Sequence, residues 1–107
     1  MGALLSVSDH DAIKAVVSQQ LRAARVMRGM SLRRASGSLG ISASYLSQIE
    51  VGKRNLPIEL LFGASRLYGV SVDVLLGRDE LPGKNRGAKV VDVVRSFFSP
   101  VKNSARA

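Results

Sequence analysis

One short pattern, a glycine followed by an apolar residue and a serine, occurs three times in the chain: Gly29-Met30-Ser31, Gly40-Ile41-Ser42 and Gly69-Val70-Ser71. Glycine readily adopts the left-handed conformation that ends a helix, and the apolar residue after it commonly packs back on the last helical turn. The serine can then cap the next helix by accepting a hydrogen bond from its free N–H groups. Corners this short predict a compact, all-α protein built from several helices.

Apolar residues at helical spacing extend this pattern into five predicted helices. Ser6 and Ser8 are each followed three residues later by an aspartate, which is the spacing of a capping box. We expect a first helix over residues 9–28. Its outer face should be basic and carry Lys14, Arg22, Arg25 and Arg28. The other helices are predicted over residues 32–39, 43–50, 57–68 and 72–76.

The fourth helix has a proline at its predicted first position, Pro57, where the missing N–H costs nothing. We expect its buried side to carry Leu61, Ala64 and Tyr68, helped by Ile58 and Leu67.

The second and third helices meet at Gly40-Ile41-Ser42, so residues 31–50 have the arrangement of a helix-turn-helix. In the third helix Leu46 and Ile49 fall on a buried face. The open face carries Ala43, Ser44, Ser47 and Gln48. Short, uncharged side chains allow a helix to lie deep in the DNA major groove, and a glutamine amide can pair with the N6/N7 edge of adenine.

The charge balance favours a polyanionic partner. The 107 residues include 16 Lys and Arg against 8 Asp and Glu, which gives a net charge of +8 and a pI near 10.9. Double-stranded DNA is the leading candidate. The length suits one domain. Because there is no cysteine and only one histidine, His10, we expect no disulfide, no metal site and no cofactor.

Neither catalysis nor a membrane location is indicated by the sequence. The spacing identifies no partner for His10, and Glu50 and Glu59 are predicted to lie on different helices, so we expect no catalytic residues. No apolar run approaches the ~18 residues that cross a bilayer, and the N-terminus lacks the basic region of a secretory signal. We therefore expect a cytoplasmic, nucleoid-associated protein.

The composition changes after Gly77. Residues 78–87 are polar and rich in glycine and proline, so the helical domain is predicted over residues 9–77, with a linker after it. An apolar pattern returns over residues 88–99 and fits an extra helix, although its valines also suit a strand. We interpret these residues as a dimerisation segment and residues 100–107 as a disordered tail. The stripe consists of Val90, Val91, Val94, Phe97 and Phe98.

The chain closely resembles the lambda-repressor-like, or Xre-type, helix-turn-helix family over residues 16–76. The most specific stretches are residues 40–50, residues 52–55 and Gly69-Val70-Ser71. The resemblance implies a five-helix domain that binds operator DNA as a dimer, with the third helix in the major groove.

The resemblance also implies a role for individual residues. It places base recognition on Ala43, Ser44 and Gln48, and backbone contacts on Lys53, Arg54 and Asn55. Arg25 and Glu50 match the internal ion pair of the family. Members often have glutamine, which helps to anchor the DNA backbone, where this chain has Leu32; Arg33 and Arg34 are the candidates to replace that contact. Ser42 and Ser47 complete the expected phosphate-contacting set, although Ser42 also suits a purely structural role as a helix cap.

Two functions from different classes fit these features. The first is a sequence-specific transcriptional regulator, a repressor that binds an inverted-repeat operator as a homodimer. The alternative is a protein-interaction adaptor or antitoxin-like module that binds a protein partner through its C-terminal tail, with DNA contact secondary. Selective enrichment of a DNA site supports the first, and recovery of one protein partner supports the second.

Overall fold

The computed structural model of the protein describes residues 4–81, and this part of the chain is all-α. Its five helices are α1 (Val7–Met27), α2 (Leu32–Leu39), α3 (Ala43–Glu50), α4 (Ile58–Tyr68) and α5 (Val72–Leu75). None of them combines the length and the hydropathy that a bilayer-spanning helix needs. The predicted all-α class and the five helices are therefore confirmed. The apolar stripe of residues 88–99 lies outside the described residues.

The glycine corners have the predicted geometry. At the corner between α2 and α3, Gly40 has a φ of 74°, and the Ile41 N–H donates to the Ser36 carbonyl at 3.0 Å. The Ser42 hydroxyl then accepts from the Tyr45 N–H at 3.0 Å. The corners at Gly29 and Gly69 repeat this pair of bonds, with Ser31 and Ser71 as the caps.

Helix boundaries differ from the prediction at two starts. Of the two possible capping boxes the chain forms the first: the Ser6 hydroxyl accepts from the Asp9 N–H at 3.1 Å, and Asp9 accepts from the Ser6 N–H at 3.0 Å. Helix α1 therefore begins at Val7 instead of residue 9. Pro57 precedes α4 as its N-cap, since its ψ of 151° is extended.

Buried apolar side chains from all five helices form one core. Helix α3 packs against α1 and α2, and α4 packs against α1, α2 and α5. The core residues within the described chain are Leu21, Ala24, Ala35, Leu46, Ile49, Ala64, Tyr68, Val70, Val74, Leu75 and Leu81. Each large side chain buried in this way contributes about 1.5–3 kcal/mol. The core thus fixes α3 on two other helices.

The prediction that Ile58 supports the buried side of α4 was wrong, because Ile58 is 62% exposed. At 3.6 residues per turn, Ile58 points about 120° away from the buried Ala64, so it falls outside the apolar stripe. Tyr68 and Leu61 lie closer to the direction of Ala64 and do contact the core.

The packed region extends past the predicted domain end at Gly77. Gln20 donates through Nε2 to the Val74 carbonyl at 2.8 Å, which fastens α5 to α1. The chain then turns at Gly77, and the Arg78 N–H returns to the Asp73 carbonyl at 2.8 Å. Leu81, which falls in the predicted linker, is only 3% exposed and belongs to the core.

Candidate nucleic-acid interface

Helix α3 presents a small, uncharged face to solvent. Leu46 and Ile49 are each 1% exposed and anchor the helix. On the other side Ala43 and Ser44 are exposed, and Ser47 and Gln48 are half-buried. No acidic side chain lies on this face, because Glu50, the acidic residue of α3, is buried. The face can therefore approach a polyanion without charge repulsion.

Ser42 is the N-cap of α3, and its hydroxyl oxygen is engaged with the Tyr45 N–H. The capping role predicted as an alternative for Ser42 is therefore present. A hydroxyl has one donor and two acceptor positions, so a capping serine can still donate its proton to a phosphate oxygen. Ser42 is exposed, which leaves that donor accessible.

The C-terminal end of α3 is held by an ion pair with α1. Arg25 Nε lies 2.7 Å from Glu50 Oε2 and Arg25 Nη2 lies 3.0 Å from Glu50 Oε1, while Nη1 donates to the Met30 carbonyl at 2.8 Å. Arg25 is thus buried and does not lie on the basic outer face of α1, where periodicity placed it. Its hydrogen bonds to Glu50 raise the pKa of Arg25 above the ordinary value. The pair fixes the end of α3 on α1.

Tyr68 lies in the core near this ion pair. Its Oη is buried and has no hydrogen-bond partner among the described residues. Burial raises the pKa of Tyr68 to about 12, and the charge of Glu50 adds to the shift, because both disfavour a phenolate. Tyr68 is therefore neutral across the physiological range.

The loop after α3 folds back on that helix. Gly52 has a φ of 84°, and the turn lets the N–H groups of Lys53 and Arg54 both donate to the Gln48 carbonyl, at 2.9 and 3.3 Å. Lys53, Arg54 and Asn55 are exposed. The loop therefore places two cations beside the open face of α3.

Arg54 also contacts α3 through its side chain. Its Nε donates to Gln48 Oε1, and its guanidinium lies 5.7 Å from the centroid of the Tyr45 ring. Tyr45 is not among the residues predicted from the sequence to form the interface. The signal available in the sequence was Gly52, since a glycine after a helix commonly reverses the chain and returns the following residues to the last turn.

At the other end of the helix-turn-helix, Arg33 and Arg34 lie in the first turn of α2 and are exposed. Leu32 is half-buried and packs against the core, so it offers no polar group to DNA at this position. Ser36 is buried, and its hydroxyl donates to the Arg33 carbonyl at 3.0 Å. The two arginines are thus the accessible donors of this turn.

Comparison with known proteins agrees with this architecture. The helix-turn-helix family model matches residues 21–75, about half of the chain. The chain is 36% identical over 69 residues to the HTH-type transcriptional regulator ImmR of Bacillus subtilis, and the aligned region covers 64% of this chain and 54% of ImmR. It is 36% identical over 64 residues to the transcriptional regulator ClgR of Mycobacterium tuberculosis, and the aligned region covers 60% of this chain and 57% of ClgR.

The chain spans about half the length of the curated relatives it matches. Among solved structures, the clp gene regulator ClgR from Corynebacterium glutamicum superposes with a TM-score of 0.57 at 30% identity, over 60% of this chain and 82% of that one. With five helices in residues 4–81, a capped helix-turn-helix and a family match across it, the chain belongs to the lambda-repressor-like (Xre-type) helix-turn-helix family of DNA-binding regulators.

Proposed function

We propose that this protein is a sequence-specific transcriptional regulator, a cytoplasmic, nucleoid-associated repressor that binds an inverted-repeat operator as a homodimer. The observation that carries the proposal is the open face of α3, which is free of acidic side chains and lies beside the basic loop of residues 52–55. A helix with this surface fits the major groove, where each base pair presents a distinct pattern of donors and acceptors.

Base recognition falls to three side chains on the open face of α3. Ala43 offers a methyl group for contact with the thymine methyl, and Ser44 offers a hydroxyl that donates or accepts. Gln48 offers an amide. Because Ala43 and Ser44 are short and lie in the first turn of α3, the N-terminal end of the helix can approach the base edges closely.

Phosphate contacts flank these residues. Arg33 and Arg34 lie in the first turn of α2, and Lys53, Arg54 and Asn55 lie in the loop after α3, so exposed donors stand at both ends of the helix-turn-helix. Ser42 and Ser47 add hydroxyl donors along α3. Such contacts position a protein on DNA without selecting sequence, and a net charge of +8 supports them through the release of counterions.

Dimerisation is assigned to the apolar stripe of Val90, Val91, Val94, Phe97 and Phe98. A two-fold dimer matches an inverted repeat whose half-sites lie about 34 Å apart. A dimer bound to an operator that overlaps a promoter blocks access of RNA polymerase to that promoter. We therefore propose that the protein represses transcription.

The test is selection of bound duplexes from random DNA with the full chain. We expect an enriched inverted repeat with half-sites separated by about one helical turn. A Ser44→Glu variant should lose the enrichment, because a carboxylate on the open face repels phosphate. A Gln19→Glu variant makes a charge change of the same size on an exposed position of α1 and should keep it. Absence of any enriched sequence with the unaltered protein contradicts the proposal and favours the adaptor function.

A further inference from the structure

Arg54 makes two hydrogen bonds to Gln48 and also contacts Tyr45. Its backbone N–H donates to the Gln48 carbonyl at 3.3 Å, its Nε donates to Gln48 Oε1, and its guanidinium lies 5.7 Å from the Tyr45 ring centroid. The two residues are six apart in the chain. Arg54 is thereby fixed on the side of α3 that carries Gln48.

The hydrogen-bonding groups of arginine determine the orientation of the Gln48 side-chain amide. A guanidinium has five N–H donors and no acceptor, so only the amide oxygen can face it. The Nε2 amino group of Gln48 must then point away from Arg54. A hydrogen bond from a charged donor is about twice as strong as one between neutral groups, so this contact favours the same amide orientation in the free protein.

Tyr45 restrains the guanidinium in turn. A guanidinium within about 6 Å of an aromatic centroid is attracted to the face of the ring. Tyr45 is half-buried and its own N–H is fixed by the Ser42 cap, so the ring is a stable support. The order of support therefore runs from Tyr45 to Arg54 to Gln48.

We propose that Arg54 is a positioning residue that sets the base preference of Gln48, so that Gln48 recognises guanine through its Nε2 donor and not adenine through both amide atoms. The inference rests on the proposed function, since it requires α3 to lie in the major groove. It assigns to Arg54 a role in sequence selection in addition to phosphate contact.

The donor pattern of the base edges gives the direction of the preference. Bidentate pairing with adenine requires the amide oxygen to accept from N6 while the amide nitrogen donates to N7. Here one lone pair of the oxygen already accepts from the charged Arg54. An adenine N6 amino group that donated to the second lone pair would lie beside the remaining guanidinium N–H donors, with no acceptor between the two donor groups. Guanine presents only acceptors in the major groove, N7 and O6. Both the amide nitrogen and the guanidinium are therefore compatible with guanine.

The experiment is selection from random DNA with four full-length proteins: the unaltered chain, Gln48→Ala, Arg54→Ala and Lys53→Ala. Gln48→Ala identifies the base position that Gln48 contacts, because preference there becomes flat. We expect guanine at that position with the unaltered chain. Arg54→Ala should shift the guanine-to-adenine ratio at the same position toward adenine by about tenfold.

Lys53→Ala is the matched control, because it removes the same charge from the neighbouring loop position. It should weaken binding to all sequences and leave the ratio unchanged. Adenine at the Gln48 position with the unaltered chain overturns the inference, as does an Arg54→Ala protein that loses affinity evenly like Lys53→Ala. In both of these results the unaltered chain still enriches a site. If it enriches none, the proposed function fails and the inference falls with it.

A measurement without DNA checks the arrangement directly. In the free protein the Arg54 Nε–H should exchange slowly with solvent, and Gln48→Ala should remove that protection. Tyr45→Phe keeps the ring and should keep the protection, whereas Tyr45→Leu should reduce it. Rapid exchange of Arg54 Nε–H in the unaltered, folded protein contradicts the inference.

Discussion

Arg25 and Glu50 form a buried, two-bond ion pair that joins α1 to the end of α3, with Arg25 Nε 2.7 Å from Glu50 Oε2 and Nη2 3.0 Å from Oε1. The side chains are only 10% and 3% exposed. Removing one partner leaves the other charge without compensation in the core, and we expect Arg25→Ala to lower the free energy of unfolding by roughly 3–5 kcal/mol. Thermal and urea denaturation measure this loss.

The control for this pair is Arg22→Ala, which removes an exposed arginine from the same helix and should change stability by less than about 1 kcal/mol. An Arg25→Ala protein that melts at the same temperature as the unaltered chain would show that the pair does not stabilise the fold.

Stability should fall at high pH because of Tyr68. Its pKa is raised to about 12 from the ordinary 10.0, so the folded protein keeps the phenol proton that the unfolded chain loses. The stabilisation is complete below about pH 10 and is lost as the pH rises to about 12. Over this range the free energy of unfolding should fall by about 1.4 kcal/mol per pH unit, which is roughly 2–3 kcal/mol in total. Urea denaturation at about pH 9 and about pH 12 measures the difference.

Tyr68→Phe should flatten this pH dependence, and because the Tyr68 hydroxyl has no partner among the described residues, the variant should remain folded. Tyr45→Phe removes the hydroxyl of a half-buried tyrosine and should keep the profile of the unaltered chain. If the free energy of unfolding of Tyr68→Phe depends on pH as in the unaltered chain, groups other than Tyr68 cause the pH dependence.

Much of the fold could be predicted from the sequence because its corners are local. A glycine, an apolar residue and a serine determine the end of one helix and the start of the next through bonds that span a few residues, as at Gly40 and Ser42. The open face of α3 follows equally from the spacing of Leu46 and Ile49. These features depend on backbone geometry that neighbouring residues determine.

The rest depends on contacts between distant elements. The sequence placed Ile58 on the buried side of α4, yet which side is buried depends on how α4 packs against α1, α2 and α5. The contact of Arg54 with Gln48 depends on the path that the loop takes after Gly52. Leu81 joins the core only because the chain turns back after α5. Composition alone shows none of these.

Capping and DNA contact can be separated at Ser42. Aspartate caps a helix about as well as serine, so Ser42→Asp and Ser71→Asp should each keep the free energy of unfolding within about 0.5 kcal/mol. Ser42 lies at the start of α3, and a carboxylate there should weaken DNA binding by roughly tenfold or more through repulsion of phosphate. Ser71 caps α5, and its variant should bind DNA normally. Equal DNA affinity of the two variants would remove the start of α3 from the interface.

The proposal that residues 88–99 form a dimerisation segment is tested by truncation. A chain that ends after Leu81 keeps every residue of the described core and should remain folded, sediment as a monomer and lose affinity for a paired site much more than for a half-site. A chain that ends after Gly77 also loses Leu81, which should cost about 1.5–3 kcal/mol. A truncated protein that still sediments as a dimer excludes residues 88–99 as the dimer contact.

The most direct test of the central claim is titration of the full chain with its selected operator and with a random duplex of the same length, over a series of salt concentrations. We expect the operator to bind at least about 10³-fold more tightly, with affinity for both duplexes falling steeply as salt rises. Lys53→Ala should reduce the salt slope by about one on both duplexes and leave their affinity ratio unchanged. Equal affinity for the operator and the random duplex would contradict sequence-specific recognition by α3.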